Sequence, residues 1–281
     1  MSQPRSDIFG DQPASAAELA EIYDLEHDEV TEDLVFYREM ARRSRGAVLD
    51  LGCGSGRLFP ALLPDARRRL VGVDGSAALL TRARARIAGD SRLAAAAADE
   101  RLALVEADVA DVASLGGRFG LIVLAGVLPH LDGPKAAARV LEGSRRRLTR
   151  GGALVIDLLG PAALPERDLP LSVDWERDVG DEHLVRRSTL MRRAGPDGLY
   201  VAFSTLVDRR HRDGTIARLP AGFRLWYPYP AQLMQLLEGA GLRVESVYGS
   251  HDLEPFDDES DRCIVVARRG PSRPVGALVP G

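Results

Sequence analysis

The sequence has few of the residues that would place the chain among disulfide-rich, metal-binding or membrane proteins. Its 281 residues include only two cysteines, Cys53 and Cys263, which are too far apart for a metal-type spacing. We interpret both as thiols of a reducing compartment. No apolar run approaches the length of about 20 residues that spans a membrane, and residues 1–14 lack the apolar core of a signal peptide. We therefore expect a cytoplasmic protein with no metal and no membrane partner.

Lysine is scarce as well: Lys135 is the only one, so the positive charge comes almost entirely from arginine. The formal net charge is −4. A protein without a positively charged surface does not bind a polyanion, so nucleic acid is excluded as the expected partner. With 45% hydrophobic residues, the chain can bury one sizeable core.

The most informative stretch of the chain lies at residues 48–58. An apolar run ends in Asp50, and glycines follow at every second position: Gly52, Gly54 and Gly56. The pattern predicts a buried strand that turns sharply into a helix, because glycine permits positive φ and a close approach of backbone to ligand. We expect free N–H groups at the start of that helix, which favour electron-rich ligand groups. The turn therefore predicts a nucleotide-type ligand.

Short apolar runs alternate with amphipathic segments along the first half of the chain. The runs predict strands at 47–51, 70–74, 102–108, 121–125 and 153–158, the last preceded by a turn at Gly151-Gly152. Two final strands are expected at 243–248 and 262–267, after a helix that starts at Pro230. The alternation predicts an α/β fold with a doubly wound, mostly parallel sheet of seven strands.

The remaining segments predict a flexible leader, one domain and a flexible tail. Their predicted bounds are 1–14, 15–269 and 270–281. Two cap helices, opened by Ser15 and Thr31, are expected within residues 15–45.

The alternation of apolar runs with amphipathic segments ends after the fifth predicted strand. Turn sequences occur at residues 195–198 and at Asp213-Gly214, between runs with the composition of strands. They predict an antiparallel β-meander over about residues 165–227, inserted after strand 5 as a lid over the substrate.

Three acids lie at the ends of successive predicted strands: Asp50, Asp74 and Asp108. Ligands of open α/β sheets bind beyond these carboxyl ends. An acid after the second strand can accept hydrogen bonds from both hydroxyls of a ribose, and an acid after the third can accept one from an adenine amino group. The dinucleotide fingerprint G-x-G-x-x-G is excluded, because Arg57 occupies the position of its last glycine.

With these motifs, the sequence resembles the class I S-adenosylmethionine-dependent methyltransferases. The resemblance covers the glycine turn, the acids after strands 2 and 3, residues 121–131, and the closing helix and strand pair. It implies S-adenosylmethionine as the cofactor and S-adenosylhomocysteine as the product. It also implies that the three glycines receive the methionine moiety, Asp74 the ribose, and Asp108 with the backbone of Val109 the adenine. The implied cofactor-binding set also contains Tyr23, Asp50, Cys53, Ala125 and His130.

Within this class the sequence is most similar to the glycine and amino-sugar N-methyltransferases. It shares with them Tyr23 on a helix before the first strand, His130 shortly after the fourth, and the insertion after the fifth. It departs from the glycine N-methyltransferases at Gly126, where they carry an acceptor-contacting Asn. His130 is a catalytic base or an orienting residue, and this choice stays open.

The acceptor pocket is expected between the cap helices, the loop after strand 4 and the meander. The predicted substrate-binding residues are Gly126, Arg224, Trp226 and Tyr227. The other candidate histidines are expected at the surface: His183, His211 and His251.

The sequence thus predicts methyl transfer from S-adenosylmethionine to a nitrogen or oxygen atom of a small molecule, such as a secondary metabolite or a sugar amine. Two alternatives stay open. One is a protein of the same fold that uses the cofactor for a different reaction, such as a cyclisation, and the other is a non-catalytic nucleotide-binding regulator. The oligomeric state is also open, with a homodimer as one alternative.

Overall fold

The computed structural model describes residues 14–65 and 67–270. The predicted leader, apart from Ala14, and the predicted tail beyond Gly270 lie outside the described residues. None of the helices in the described ranges combines the length and the apolar character that a membrane crossing requires.

Strands and helices alternate along most of the described chain. The strands are β1 (Ala47–Leu51), β2 (Leu70–Asp74), β3 (Leu102–Glu106), β4 (Phe119–Ala125), β5 (Leu148–Leu159), β6 (Leu169–Val179), β7 (Glu182–Gly195), β8 (Gly198–Arg210), β9 (Ile216–Tyr227), β10 (Leu242–Tyr248) and β11 (Arg262–Arg269). The helices are α1 (Ala16–His27), α2 (Leu34–Arg43), α3 (Phe59–Leu62), α4 (Ala77–Gly89), α5 (Ser91–Ala98), α6 (Pro134–Arg147) and α7 (Pro230–Gly239).

The central sheet has seven strands in the order β10-β11-β5-β4-β1-β2-β3. Strands β1 to β5 run parallel to one another. Strand β11 runs antiparallel to β5, and β10 runs antiparallel to β11. Helices α2 to α5 cover one face of the sheet, and α6 and α7 cover the other. The predicted doubly wound, mostly parallel fold is confirmed.

Strand β5 differs from its prediction at its start. It begins at Leu148 rather than at residue 153, and Gly151-Gly152 lies within the strand instead of turning a helix into it. The pairing of β4 with β5 shifts register between Phe119 and Leu121, which accommodates the extra residues, and Gly151 has a φ of +79°. Glycines in the middle of a strand often mark such a bulge.

The helix starts follow the predicted capping residues in part. Ser15 caps α1 as predicted, and its reciprocal hydrogen bonds with Glu18 form a capping box. Helix α2 begins at Leu34 rather than near Thr31, because the backbone N–H of Thr31 bonds the Glu32 side chain and residues 31–33 form a turn. The alanine-rich segment after α4 forms α5.

The second sheet is the predicted meander after β5. Its four antiparallel strands follow one another in the order β6-β7-β8-β9. Ile22 of α1 packs in a small apolar cluster with Leu184, Val207 and Leu219 of this sheet. Helix α1 also contacts α4 of the main domain, so it lies between the two sheets and helps to define the space between them.

Candidate active site

A large cleft opens at the carboxyl ends of the parallel strands, with a volume of about 2250 Å³. Residues at the ends of β1, β2, β4 and β5 line it, together with residues from α1, β8, β9 and the loop between β10 and β11. This is the edge of an open α/β sheet where ligands bind. The cleft is therefore the candidate active site.

The first two glycines of the turn after β1, Gly52 and Gly54, lie close to neighbouring side chains. The φ angle is +81° at Gly52 and +54° at Gly54, in the left-handed region that favours glycine. A Cβ at Gly52 would lie 2.5 Å from Val127, and one at Gly54 would lie 3.1 Å from the Tyr23 hydroxyl. Both glycines line the cleft, as predicted for cofactor-binding positions.

Gly56 and Cys53 are placed differently, because neither lines the cleft. Gly56 has a φ of +80°, and a Cβ there would lie 2.3 Å from the ring of Phe59. The same ring lies 2.8 Å from the position of a Cβ on Gly72. The two glycines thus form a slot for a fully buried phenylalanine, so the third glycine of the turn is required by packing. Burial of Cys53 raises the pKa of its thiol, which keeps it neutral.

The N–H groups of Gly52, Cys53 and Gly54 are bonded within the protein, so the prediction of free N–H groups is wrong at these positions. Gly52 and Cys53 both donate to the carbonyl of Val73, at 2.7 and 2.9 Å. Gly54 donates to Asp74 Oδ2 at 2.8 Å. Helix α3, which follows, has only four residues. The contribution of the turn is therefore its shape, which lets Val127 and Tyr23 pack closely against Gly52 and Gly54.

The two acids predicted to hold the adenosine lie on the cleft lining, and both also organise the backbone. Besides the Gly54 N–H, Asp74 accepts a hydrogen bond from the N–H of Ser76 at 2.8 Å. Asp108 accepts one from the N–H of Ala110 at 2.8 Å and caps a 3-10 helix that starts at Val109. Asp74, Asp108 and Val109 all face the cleft. The structure thus brings the three predicted residues to one edge.

Asp50 lies beneath the turn rather than on the cleft lining. It is 2% exposed, and its Oδ2 atom has no hydrogen-bonding partner among the described residues. Burial, reinforced by the charge of Asp74, raises its pKa to about 7. A buried carboxylate with an unpartnered oxygen gains free energy when a cation binds above it.

Asp50→Asn is expected to remove a pH dependence of stability. The folded chain holds the Asp50 proton more tightly than the unfolded chain, so the free energy of unfolding falls as pH rises from the ordinary pKa of 3.8 to about 7. In this window the wild type should lose about 1.4 kcal/mol per pH unit relative to the variant. Urea unfolding of both proteins between about pH 4 and pH 8 measures the difference. Parallel stability curves would contradict the burial of an ionisable Asp50.

Tyr23 and Arg57 close the side of the cleft nearest α1. The Tyr23 ring packs on Gly54 and stacks on His27, with ring centroids 4.1 Å apart, and burial raises the pKa of its hydroxyl to about 12. Arg57 donates to both carboxylate oxygens of Asp33, at 2.8 and 2.6 Å. A bidentate pair of this kind fixes both side chains. Tyr23 thus lines the cleft beside the glycine turn.

The segment after β4 forms the wall opposite the glycine turn. Ala125 and Gly126 line the cleft, and Gly126 has a φ of +67° with open space where a Cβ would lie. His130 ends a short 3-10 helix and also lines the cleft. Desolvation lowers the pKa of His130, which keeps the imidazole neutral at neutral pH.

The predicted substrate-binding residues of β9 separate into two groups. Arg224 lines the cleft, but Trp226 and Tyr227 lie outside its lining. Trp226 is only 2% exposed, because its indole packs against Gly198 at the start of β8. The placement of Trp226 and Tyr227 in the acceptor pocket is therefore corrected.

Two aromatic residues of the meander line the cleft without having been predicted. Phe203 of β8 and Phe223 of β9 are paired in register, and their rings stack with centroids 6.4 Å apart. Phe223 is 37% exposed. A partly exposed aromatic pair inside a cleft offers an apolar surface to a ligand. The signal in the sequence is their position in two adjacent strands of the meander.

Asp157 and His251 are a second missed pair. Both line the cleft, and His251 Nε2 lies 2.8 Å from Asp157 Oδ2. The expectation that His251 lies at the surface is therefore wrong. Asp157 could have been found by the rule that identified Asp74, because it is an acid near the carboxyl end of an apolar strand. The position of His251 depends on the pairing of distant strands.

The cleft as a whole is acidic. Among the described residues, thirteen aspartates and glutamates line it, against five arginines and no lysine. Three of the arginines are paired with acids of the lining. The remaining excess of carboxylates creates a negative potential, which attracts cationic ligands.

Residues 48–152 match the family described as Methyltransferase domain. No curated protein sequence is significantly similar to the chain. Solved structures share the fold over nearly the whole chain. The CcbJ methyltransferase from Streptomyces caelestis has a TM-score of 0.67 at 22% identity, covering 93% of this chain and 100% of that chain.

Two further structures carry names that describe a substrate. The sugar N-methyltransferase KedS8 from Streptoalloteichus sp. has a TM-score of 0.68 at 20% identity, with 96% of this chain and 99% of that chain covered. CalS10, an amino pentose methyltransferase from Micromonospora echinaspora, has a TM-score of 0.57 at 19% identity, with 91% and 92% covered. Residues 48–152 thus match a methyltransferase domain, and the chain shares the fold of these methyltransferase structures, as the sequence predicts.

Proposed function

We propose that the chain transfers a methyl group from S-adenosylmethionine to an amine of a small molecule, with S-adenosylhomocysteine as the second product. The acidic lining of a cleft in a methyltransferase domain is the observation that carries the amine. An aliphatic amine is cationic at neutral pH, so the lining attracts it, whereas a neutral hydroxyl gains nothing from this charge.

The residues at the carboxyl ends of β1, β2 and β3 fit the cofactor. Asp74 and Asp108 offer carboxylate oxygens along one edge, and Gly52 and Gly54 line the space beside them. The unpartnered Oδ2 of Asp50 beneath this space fits a ligand that carries positive charge. S-adenosylmethionine supplies an electrophilic methyl group on a sulfonium, so the protein's task is to align the acceptor and exclude water.

The cleft has room for an acceptor as well as a cofactor. Its volume of about 2250 Å³ is larger than the roughly 300–1,000 Å³ of a typical small-molecule pocket. A regulator that only binds a nucleotide needs no space beyond the cofactor. The room therefore favours an enzyme over the non-catalytic alternative.

The acceptor side of the cleft combines an apolar surface with charge. Phe203 and Phe223 provide the apolar surface, and the carboxylates of the lining provide the charge. Gly126 leaves this region open where a larger residue would fill it. Such a surface fits a ligand with an apolar ring face and polar substituents, and the names of KedS8 and CalS10 place amino sugars first among the acceptors to test.

Matched pairs of acceptors test the chemical class. Each pair consists of an amino sugar and the same sugar with a hydroxyl in place of the amine, incubated with the protein and S-adenosylmethionine. We expect the amine of at least one pair to gain a methyl group and its hydroxyl partner to remain unchanged, as followed by mass spectrometry. Methylation of the hydroxyl compounds alone would overturn the assignment of an amine acceptor.

A further inference from the structure

We propose that His251, held by Asp157, is the base that removes the proton from the acceptor ammonium before methyl transfer. The proposal rests on the amine acceptor of the proposed function. It assigns a catalytic role to His251 and a positioning role to Asp157.

Asp157 lies near the carboxyl end of β5, on the cleft lining. It pairs in register with Ala125 of β4, and its carbonyl accepts a hydrogen bond from the N–H of Gly126 at 2.9 Å. Its side chain is almost fully buried, with the residue 1% exposed. The carboxylate therefore sits beside the two residues that separate the glycine turn from the acceptor side of the cleft.

Three different side chains donate to this one carboxylate. The Tyr37 hydroxyl donates to Oδ2 at 2.6 Å, His251 Nε2 lies 2.8 Å from the same oxygen, and Arg262 Nε donates to Oδ1 at 2.9 Å. Burial alone would raise the pKa of Asp157, but the hydrogen bond from His251 and the charge of Arg262 outweigh it, so the pKa lies below its ordinary value. Asp157 is therefore an ionised acceptor.

An ionised Asp157 determines the tautomer of His251. Because a carboxylate can only accept, the ring nitrogen Nε2 carries the hydrogen, and the neutral imidazole has its lone pair on Nδ1. Within residues 14–65 and 67–270, Nδ1 has no hydrogen-bonding partner, and the side chain is 15% exposed and faces the cleft. The rings of Phe36 and Tyr37, with centroids 5.7 and 6.0 Å away, hold the imidazole in place.

Carboxylates outnumber cations around His251 on the cleft lining. Asp157 of β5 is ionised, whereas Tyr37 of α2 is neutral because burial raises its pKa well above the ordinary value. Arg262 of β11 carries the only positive charge in direct contact with the carboxylate among the described residues. Glu32, before α2, and Asp252, next to His251, add further carboxylates on the cleft lining.

An unpartnered hydroxyl beside the histidine is an independent sign of a ligand group. Ser250 Oγ is buried, lines the cleft and has no hydrogen-bonding partner among the described residues. Buried hydroxyls are normally bonded. A polar group of the acceptor, bound next to His251, would satisfy it.

The proton step balances with the groups named. The N–H bond of the acceptor ammonium breaks, the proton moves to Nδ1 of His251, and the electron pair stays on the nitrogen. That pair then forms the new bond to the methyl carbon, while the carbon–sulfur bond breaks and its electrons remain on the sulfur of S-adenosylhomocysteine. The product is again an ammonium, and His251 returns its proton to water.

His130, the base candidate from the sequence, lacks this arrangement. Among the described residues, no carboxylate forms a hydrogen bond with its ring, and desolvation lowers its pKa. A base that must hold a proton is helped by a carboxylate on its second nitrogen. The pair of His251 with Asp157 meets this requirement.

The test compares the pH profiles of the wild type and His251→Gln with an amine acceptor. Glutamine keeps an N–H for Asp157 but cannot take a proton, so the variant must bind the small neutral fraction of the amine. We expect kcat/KM to fall on the order of 100-fold near pH 7 and the difference to shrink as pH approaches the amine pKa, between about 8 and 10. His183→Gln is the matched control, because His183 forms a similar pair with Asp178 outside the cleft lining. It should leave the profile unchanged.

Two results separate failure of this inference from failure of the proposed function. If the wild type methylates an amine and His251→Gln lowers the rate by the same factor at every pH, or not at all, His251 is not the base. If the wild type binds S-adenosylhomocysteine and methylates no amine, the proposed function fails and the base assignment falls with it. Asp157→Asn should shift the profile in the same direction as His251→Gln, and an unshifted profile in a folded variant would overturn the positioning role.

Discussion

Asp74→Ala is expected to weaken the binding of S-adenosylhomocysteine on the order of 1,000-fold. Each hydrogen bond to a charged group contributes about 1.5–3 kcal/mol, and a carboxylate at this strand end can accept one from each ribose hydroxyl. The substitution also removes the acceptor for the N–H groups of Gly54 and Ser76, which shape the turn. Both effects act on the cofactor side of the cleft. Titration calorimetry measures the dissociation constant.

A control is needed because Asp74 also supports the backbone. Asp111 is a suitable one, since it lies in the same part of the fold, is exposed and does not line the cleft. Asp111→Ala should bind S-adenosylhomocysteine as the wild type does. Unchanged affinity in a folded Asp74→Ala variant, or binding of NADH instead of S-adenosylhomocysteine by the wild type, would contradict the site assignment.

Gly56→Ala is expected to destabilise the fold by about 3 kcal/mol or more. The new Cβ would be strained at a φ of +80° and would lie 2.3 Å from the buried ring of Phe59. Left-handed backbone costs about 1–2 kcal/mol outside glycine, and overpacking a core adds about 1–3 kcal/mol. The ring cannot retreat, because Gly72 confines it on the other side. Urea unfolding at constant pH measures the loss.

Gly117→Ala separates the two contributions. Gly117 has the same φ of +80°, but nothing lies within 4 Å of the position of its Cβ. The Gly117→Ala variant should therefore lose only the stability that the strained left-handed backbone costs, about 1–2 kcal/mol. If both variants lost the same free energy of unfolding, the close packing of Phe59 against Gly56 would add nothing to the cost of the substitution.

The fold could be predicted because its signals are local. Apolar runs that end in acids, a glycine turn and hairpin sequences each act over a few residues, and they led to the seven-stranded sheet and the inserted meander. The glycine turn was located correctly but explained in part incorrectly. The bonding of its N–H groups to Val73 and Asp74, and the use of Gly56 by Phe59, depend on how β2 packs beside it.

The acceptor side was harder to predict, because its residues come together only through tertiary structure. His251 and Asp157 are 94 positions apart, and they meet because β11 pairs with β5 and brings the loop before it over the cleft. Trp226 and Arg224 are both on β9, yet one packs on Gly198 and the other lines the cleft. Aromatic residues were expected in the pocket on the basis of residue type alone. Their position within the meander decides which of them line the cleft.

The most direct test of the account follows the methyl group itself. The protein is incubated with an amino-sugar acceptor and S-adenosylmethionine whose methyl carries deuterium, and both products are identified by mass spectrometry. The account predicts one labelled methyl group on the acceptor nitrogen for each S-adenosylhomocysteine formed. An acceptor that is rearranged or cyclised without the label, or a cofactor that binds and stays intact with every amine offered, would contradict it.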